Sequence, residues 1–254
     1  QMVVLLKNIL ACSRKHDFTM ANSFIEEYKN HLPSISESHI FEVLGLYVQA
    51  AYNRAKGDEG NTLNLVRDLL VSAVAMSQWL MPGLVTALVY LFAGTMADRF
   101  DNTSLPPPNE LANKALQRLK QVTLDNSDVH ADLRHRAHIT LAAYYLGCNL
   151  SGNPIAQRVD DEYVDEANSS ILAIESSAKD KNKLTHYRAV QFKLIKSIYN
   201  FRCSQNQLKE RERFLREALK SCKHAEDLAE EWNFHEMVSW SKSLKSLLLL
   251  QQHL

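Results

Sequence analysis

"LLVSAVAMSQWLMPGLVTALVYLFAGTMA", Leu69 to Ala97, contains no charged residue. Such a run either spans a bilayer or forms the interior of a helical protein, and the choice decides the fold. A membrane helix needs about 20 consecutive apolar residues to cover roughly 30 Å of hydrocarbon. Pro82-Gly83 divides the run into pieces of about 13 and 14 residues, each about 20 Å long as a helix. Proline cannot donate the helical hydrogen bond and turns the residue before it away from helix. Ser72, Ser77 and Gln78 in the first piece, and Thr86 and Thr95 in the second, bring polar groups that lipid tolerates poorly. The flanking Arg67, Asp68, Asp98 and Arg99 balance, without the Lys/Arg asymmetry of a membrane span. The run therefore reads as two short helices, apolar nearly all round, joined by a tight turn inside a helical stack.

The totals agree with a helical stack. In 254 residues, 29 basic and 29 acidic side chains cancel, which removes any net-charge argument for a nucleic-acid partner. Seven Gly and six Pro fit long helices with short connections and disfavour a strand-rich fold. The opening "QMVVLLKNILACSRKH" has no cationic region ahead of its apolar one and no small-residue cleavage site, so it does not read as a signal peptide. Gln1 runs straight into a helical pattern. The expectation is a single helical-repeat domain over 1–254, a fragment of a longer chain, with a subdivision at 101–109 left open. Cys12, Cys148, Cys203 and Cys222 lack C-x-x-C spacing and read as reduced thiols at small-residue positions of an intracellular protein. The sequons at Asn102, Asn149 and Asn168 carry little weight without a secretory signal.

Helical periodicity recurs along the whole chain and strand-like alternation hardly anywhere. It predicts helices at roughly 2–15, 18–31, 38–56, 61–80, 84–100, 109–124, 129–150, 161–179, 182–204, 209–231 and 234–252. Stop signals lie between them: "HLPSISES", "AKGDEGN", "LSGNP", and the stiff proline run "DNTSLPPPNE", after which Asn109 is placed to cap the next helix. Two helix types alternate. One is long, with small or aromatic residues among aliphatics, as in "HIFEVLGLYVQAAYNRAKGD" and "LRHRAHITLAAYYLGCNL". The other is shorter and more polar, often opening with an Ala-x-x-x-aliphatic step: Ala21 to Ile25, Ala112 to Leu116, Ala167 to Ile171. Gly45, Ala142 and Ala143 would let a neighbouring helix approach closely, with Tyr47, Tyr144 and Tyr145 filling the space beside them. Corresponding helices recur at roughly 43 to 55 residues, longer than the tetratricopeptide period of about 34. The fold class is all-α, a degenerate tetratricopeptide-like superhelix of about five helix pairs, with a compact all-α bundle as the alternative. Trp232, Phe234, Met237, Trp240 and Leu244 give the last unit an apolar stripe. The adjacent leucines of Leu247 to Leu250 point to burial against a partner, against further chain, or against the preceding pair.

Motifs for chemistry are lacking. The sequence contains no H-E-x-x-H, G-x-S-x-G, Walker loop or dinucleotide fingerprint, so an enzyme is not expected, nor a cofactor. "DVHADLRHRAH" gathers Asp128, His130, Asp132, His135 and His138, but Arg134 and Arg136 oppose cation binding, and it reads as a solvated helix start rather than a metal site. "DDEYVDEA" opens its helix with carboxylates that suit the positive end of the helix dipole. The helix at 182–204 carries Lys183, Arg188, Lys193, Lys196 and Arg202 and no acidic residue, with Glu210, Glu212 and Glu217 downstream as candidate partners. With Tyr187, Phe192 and Tyr199 nearby, that stripe is the basis of an alternative reading, single-stranded nucleic-acid binding, although those aromatics fall mostly at core positions.

Four stretches resemble the cohesin loading factor family, the tetratricopeptide-repeat subunit of the loader for sister-chromatid cohesion. They are "VVLLKNILACSRKHDFTMANSFIEE", "FEVLGLYVQAA", "HADLRHRAHITLAAYYLG", and the terminal pattern of Leu228, Ala229, Trp240, Ser243, Leu244 and Leu247. The segments Asp101 to Asn109 and "LSGNPIAQRVDDEYVDE" are longer than the family pattern. The resemblance, to the C-terminal part of that family, implies a non-enzymatic nuclear adaptor whose superhelix embraces an extended N-terminal segment of the large HEAT-repeat loader subunit. On the residues alone, the expected function is a protein–protein interaction scaffold for an extended peptide, without a membrane and without direct nucleic-acid contact. The candidate partner-binding residues are Arg134, His135, Arg188, Lys193 and Lys196. Reversal of Lys193 and Lys196 to Glu is expected to weaken partner capture with the fold intact, as read by pull-down and circular dichroism.

Overall fold

A computed structural model describes residues 1–34, 38–76, 83–100, 105–122, 128–148, 161–179 and 184–252. Among them every regular element is helical: α1 Met2–Arg14, α2 Phe18–His31, α3 Ser38–Lys56, α4 Glu59–Met76, α5 Gly83–Phe100, α6 Pro108–Lys120, α7 Asp128–Tyr145, α8 Asp161–Lys179, α9 His186–Asn206, α10 Arg211–Glu231 and α11 His235–Gln252, with short 3-10 turns at Leu32–Ser34 and Leu208–Glu210. The uncharged run resolves into α4, which ends at Met76, and α5, which begins at Gly83. Pro82, the expected breaker, lies outside the described residues, as do Ser77, Gln78 and Lys183. Among the described residues no helix is long and apolar enough to cross a membrane.

Local chemistry sets several boundaries. The Asp17 carboxylate accepts the Met20 N–H at 3.1 Å, and the Asp58 carboxylate accepts the Asn61 N–H at 3.2 Å, each satisfying an otherwise orphaned donor. Pro107 is extended (φ −62, ψ 151) and Pro108 takes the first helical position of α6, where a missing N–H costs nothing. Asn109 thus lies inside the first turn and is not the cap. The helix expected to reach 150 stops at Tyr145, because Gly147 turns left-handed (φ 62). There the Cys148 N–H returns to the Ala143 carbonyl at 3.0 Å, closing the helix in a Schellman-type turn.

The helices pack in sequence-adjacent pairs, α1 with α2 through α9 with α10, and α11 lies on α10. A second set of contacts runs through the odd-numbered helices. α1 meets α3, α5 meets α7, α7 meets α9 and α9 meets α11, while the Tyr47 ring stands edge-on to Phe92 at 5.0 Å and joins α3 to α5. No comparable packing joins successive even-numbered helices among the described residues. The core forms three clusters, and two helices serve a pair of them. Val48 of α3 belongs to the first and Val43 and Ala50 to the second; Leu133, Ala137 and Leu141 of α7 belong to the second and Ile139, Ala142, Ala143 and Leu146 to the third. The Ala-led steps bury as expected: Ala21, Ala112 and Ala167 are fully enclosed. Tyr144 does not fill a gap between helices; it is exposed, and Tyr145 takes that role against Tyr163. Within the terminal stripe Met237, Trp240 and Leu244 are buried. Trp232, exposed, stacks on His186 at 3.7 Å, and Leu249 and Leu250 remain exposed while Leu248 is buried.

Gly45 is a close small-residue contact between α2 and α3. A Cβ there would stand 2.7 Å from Cε1 of Tyr28, whose ring is buried and whose hydroxyl donates to the Phe41 carbonyl. Gly45→Ala is expected to destabilise by about 1–3 kcal/mol through overpacking, lowering the melting temperature by roughly 3–8 °C. Gly60→Ala, at a helical position with nothing within 4 Å of the added carbon, should leave it unchanged or slightly raised. Thermal denaturation followed by circular dichroism distinguishes the two.

Candidate interaction surface

Successive residues turn by about 100° around a helix, so α7 has four sides. Two are the core faces just described. On a third lie Arg134 and His138, turned toward Lys120 of α6. On the fourth lie Asp132 and Arg136, four residues apart and both partly exposed, with Thr140 one turn further.

The fourth side faces the other odd-numbered helices. Arg188 of α9 donates from Nε to Oδ1 of Asp132 at 3.2 Å and from Nη2 to Oδ2 at 3.5 Å, and its Nη1 reaches Gln191 at 2.7 Å. Its guanidinium lies over Tyr187, 5.4 Å from the ring centre, and Tyr187 in turn stands edge-on to Phe234. Arg136 Nη2 donates to Thr95 of α5 at 3.4 Å, and the Tyr47 hydroxyl of α3 lies beside the same guanidinium. Arg54, near the end of α3, comes within 4.0 Å of Glu236 at the start of α11. That last contact fixes the curvature. Four interhelical steps of about 8–10 Å each would hold α3 and α11 roughly 30–40 Å apart in a flat row. Their side chains meet, so the odd-numbered row is curled, with Tyr47, Arg54, Thr95, Asp132, Arg136, Tyr187, Arg188 and Glu236 on its inner side. Burial, followed by the charge of Glu236, pushes the Tyr187 hydroxyl above its ordinary value.

The candidate residues divide across the molecule. Arg188 is on the inner side. Arg134 is exposed on the side of α7 opposite Arg136. His135 is 1% exposed and bonds through Nε2 to the Ser177 hydroxyl of α8 at 3.1 Å, so it offers no surface to a partner. Lys193 and Lys196 turn toward α8 and α10. Lys196 donates to Glu175 at 2.7 Å, and burial, with Lys196 beside it, pushes Lys193 below its ordinary value. The basic stripe of α9 is therefore not continuous. Arg202 completes its break-up: it is 2% exposed and donates from Nε to the Leu146 carbonyl at 3.2 Å, at the negative end of the α7 dipole. The carboxylates that answer Arg188 and Lys196 are Asp132 and Glu175, and not Glu210, which pairs with Arg213. Lys196→Glu would set a carboxylate against Glu175, so lost capture in the double reversal would have a structural cause as well. Arg54, Arg136 and Glu236 were not among the sequence candidates. The available signal was the four-residue spacing of Asp132, Arg136 and Thr140 along one side of α7.

"DVHADLRHRAH" disperses in the same way. Nε2 of His130 lies 3.0 Å from the Leu119 carbonyl, His135 meets Ser177, and Asp132 meets Arg188. Among the described residues no group of three or more His, Cys, Asp or Glu gathers as a metal site. No protein-family model, curated protein or solved structure matches the chain.

His135 and His138 carry a pH dependence. Burial lowers both, His138 to about 4 with further help from Arg134. A group that binds its proton more weakly folded than unfolded stabilises the fold above its unfolded pKa of about 6.5 and withdraws that stability as pH falls below it. Melting temperature is expected to fall between pH 6.5 and about 4, and His138→Gln should flatten that part of the curve. Identical slopes in the two proteins would contradict the assignment.

Proposed function

We propose that the chain is a non-enzymatic interaction scaffold, a degenerate tetratricopeptide-like superhelix that holds an extended segment of a partner subunit along the inner side of its odd-numbered helices. The observation that supports this is the meeting of Arg54 of α3 with Glu236 of α11, which a flat row would keep apart. A curled row of helices offers a long inner surface, and extended peptides bind such surfaces through many modest contacts. The side chains there suit that use: aromatic rings, hydroxyls and guanidinium groups, partly exposed and held by neighbours.

The resemblance to the cohesin loading factor family supplies a candidate partner, the N-terminal segment of the large HEAT-repeat loader subunit, and with it a nuclear role in sister-chromatid cohesion. Overlapping synthetic peptides covering that segment are the direct test. Binding by at least one, competed by an unlabelled copy, is expected. No binding across the whole segment would remove the family reading.

Single-stranded nucleic acid is the weaker alternative, because the stripe it would use is dismantled. Arg188 and Lys196 are ion-paired and Arg202 is buried. Nucleic-acid affinity grows with the number of free cations that release counterions from phosphates. Fluorescence anisotropy of an unstructured oligonucleotide is expected to stay flat on titration at about 50 mM salt.

A further inference from the structure

Among the described residues, the inner side brings together three cations, Arg54, Arg136 and Arg188, and two carboxylates, Asp132 and Glu236. Both carboxylates are engaged. Asp132 takes two bonds from Arg188 and a third from the Thr185 hydroxyl at 3.1 Å, and Glu236 faces Arg54. Arg136 is left with neutral oxygens, those of Thr95 and Tyr47, against five N–H donors of its own. It is partly buried, and withdrawing an unpaired cation from water is costly. Burial accordingly holds its guanidinium below the ordinary arginine value, with Arg188 adding to the effect and Tyr47 and the charge of Asp132 opposing it.

We infer that Arg136, flanked by Tyr47 and Thr95, is the seat for a carboxylate side chain of an extended acidic segment of the partner. The charge count selects the occupant. Among the described residues three cations face two carboxylates on this side, and one aspartate or glutamate would balance them where a phosphate dianion would overshoot. The planar guanidinium fork matches a carboxylate with two parallel bonds. Tyr187 and the aliphatic stem of Arg188 stand close by to hold the apolar part of the same segment. The inference rests on the inner side being the partner-binding surface, and deepens that reading by naming the chemistry it selects.

The test uses random peptides of about twelve residues displayed on phage and selected on the full chain. Enriched peptides are expected to share an Asp or Glu at one position. A synthetic copy with that residue changed to Gln or Asn should bind at least about tenfold more weakly. Arg136→Gln should remove the acidic preference, and Arg136→Lys should keep part of it with helical content unchanged. The lysine variant and the peptide exchange keep the question open to refutation should the glutamine variant fail to fold. Enriched peptides without an acidic position, or affinities unmoved by Arg136→Lys and Arg136→Gln, would overturn the seat and leave the scaffold reading standing. Failure to enrich any peptide would count against both. Phosphoserine in place of the acid, binding about tenfold tighter, would assign the seat to phosphate and overturn the carboxylate.

Discussion

The burial of α7 on two opposite faces is the constraint on which the arrangement depends. Leu133, Ala137 and Leu141 enter one core cluster while Ile139, Ala142, Ala143 and Leu146 enter another. A helix that is apolar on two sides needs covering on both, and the chain supplies α5 and α6 on one and α8 and α9 on the other. Each side chain involved is small or aliphatic, so these two faces fit by close approach, while His130, His135 and Asp132 add polar bonds to the same neighbours. Once both faces are taken, only two narrow stripes of α7 remain for anything else. One holds Arg134 and His138; the other holds Asp132 and Arg136. The polar surface of the middle of the molecule is what its packing leaves over.

Charge is distributed by the same geometry. The cations of α9 looked alike as a list, yet the structure gives them different fates. Arg188 holds α9 to α7, Lys196 holds α9 to α8, and Arg202 meets the carbonyl end of α7 from inside the core. Lysine and arginine stems bury readily while their heads find a partner, so a basic helix in the inner row of a stack becomes a connector between its neighbours. Partly buried pairs of this kind, such as Arg188 with Asp132, fix which neighbour lies where more than they add net stability.

The eleven helices were legible because their causes are local. Periodicity of about 3.6 residues, caps such as Asp17 and Asp58, and breakers such as the proline run act within a few positions. The boundary misses are local as well. Gly147 closes α7 early by a left-handed turn, and Pro107 with Pro108 opens α6 in place of Asn109. The pairing of helices followed from the two alternating helix types. The site was less legible, because its partners are remote along the chain. Asp132 and Arg188 stand 56 residues apart, and Arg54 meets a carboxylate in the last helix. Glu210, Glu212 and Glu217 are possible partners of the basic stripe by closeness in sequence, which is a poor guide when helices stack by twos: Asp132 and Glu175 take that place. His135 was misjudged for a related reason: a polar residue on α7 looks exposed until α8 is laid against it.

The meeting of Arg54 with Glu236 has a topological meaning. The curl is closed at that point by two long side chains standing 4.0 Å apart, the acid largely exposed, and not by a shared core. Such a contact is weak and ion-screened, worth about 1 kcal/mol or less. So light a fastening would not hold the curled row shut against an entering chain. On the proposed scaffold reading, a partner strand anchored by bulky domains at both of its ends would be laid in from the side, with no free terminus to thread.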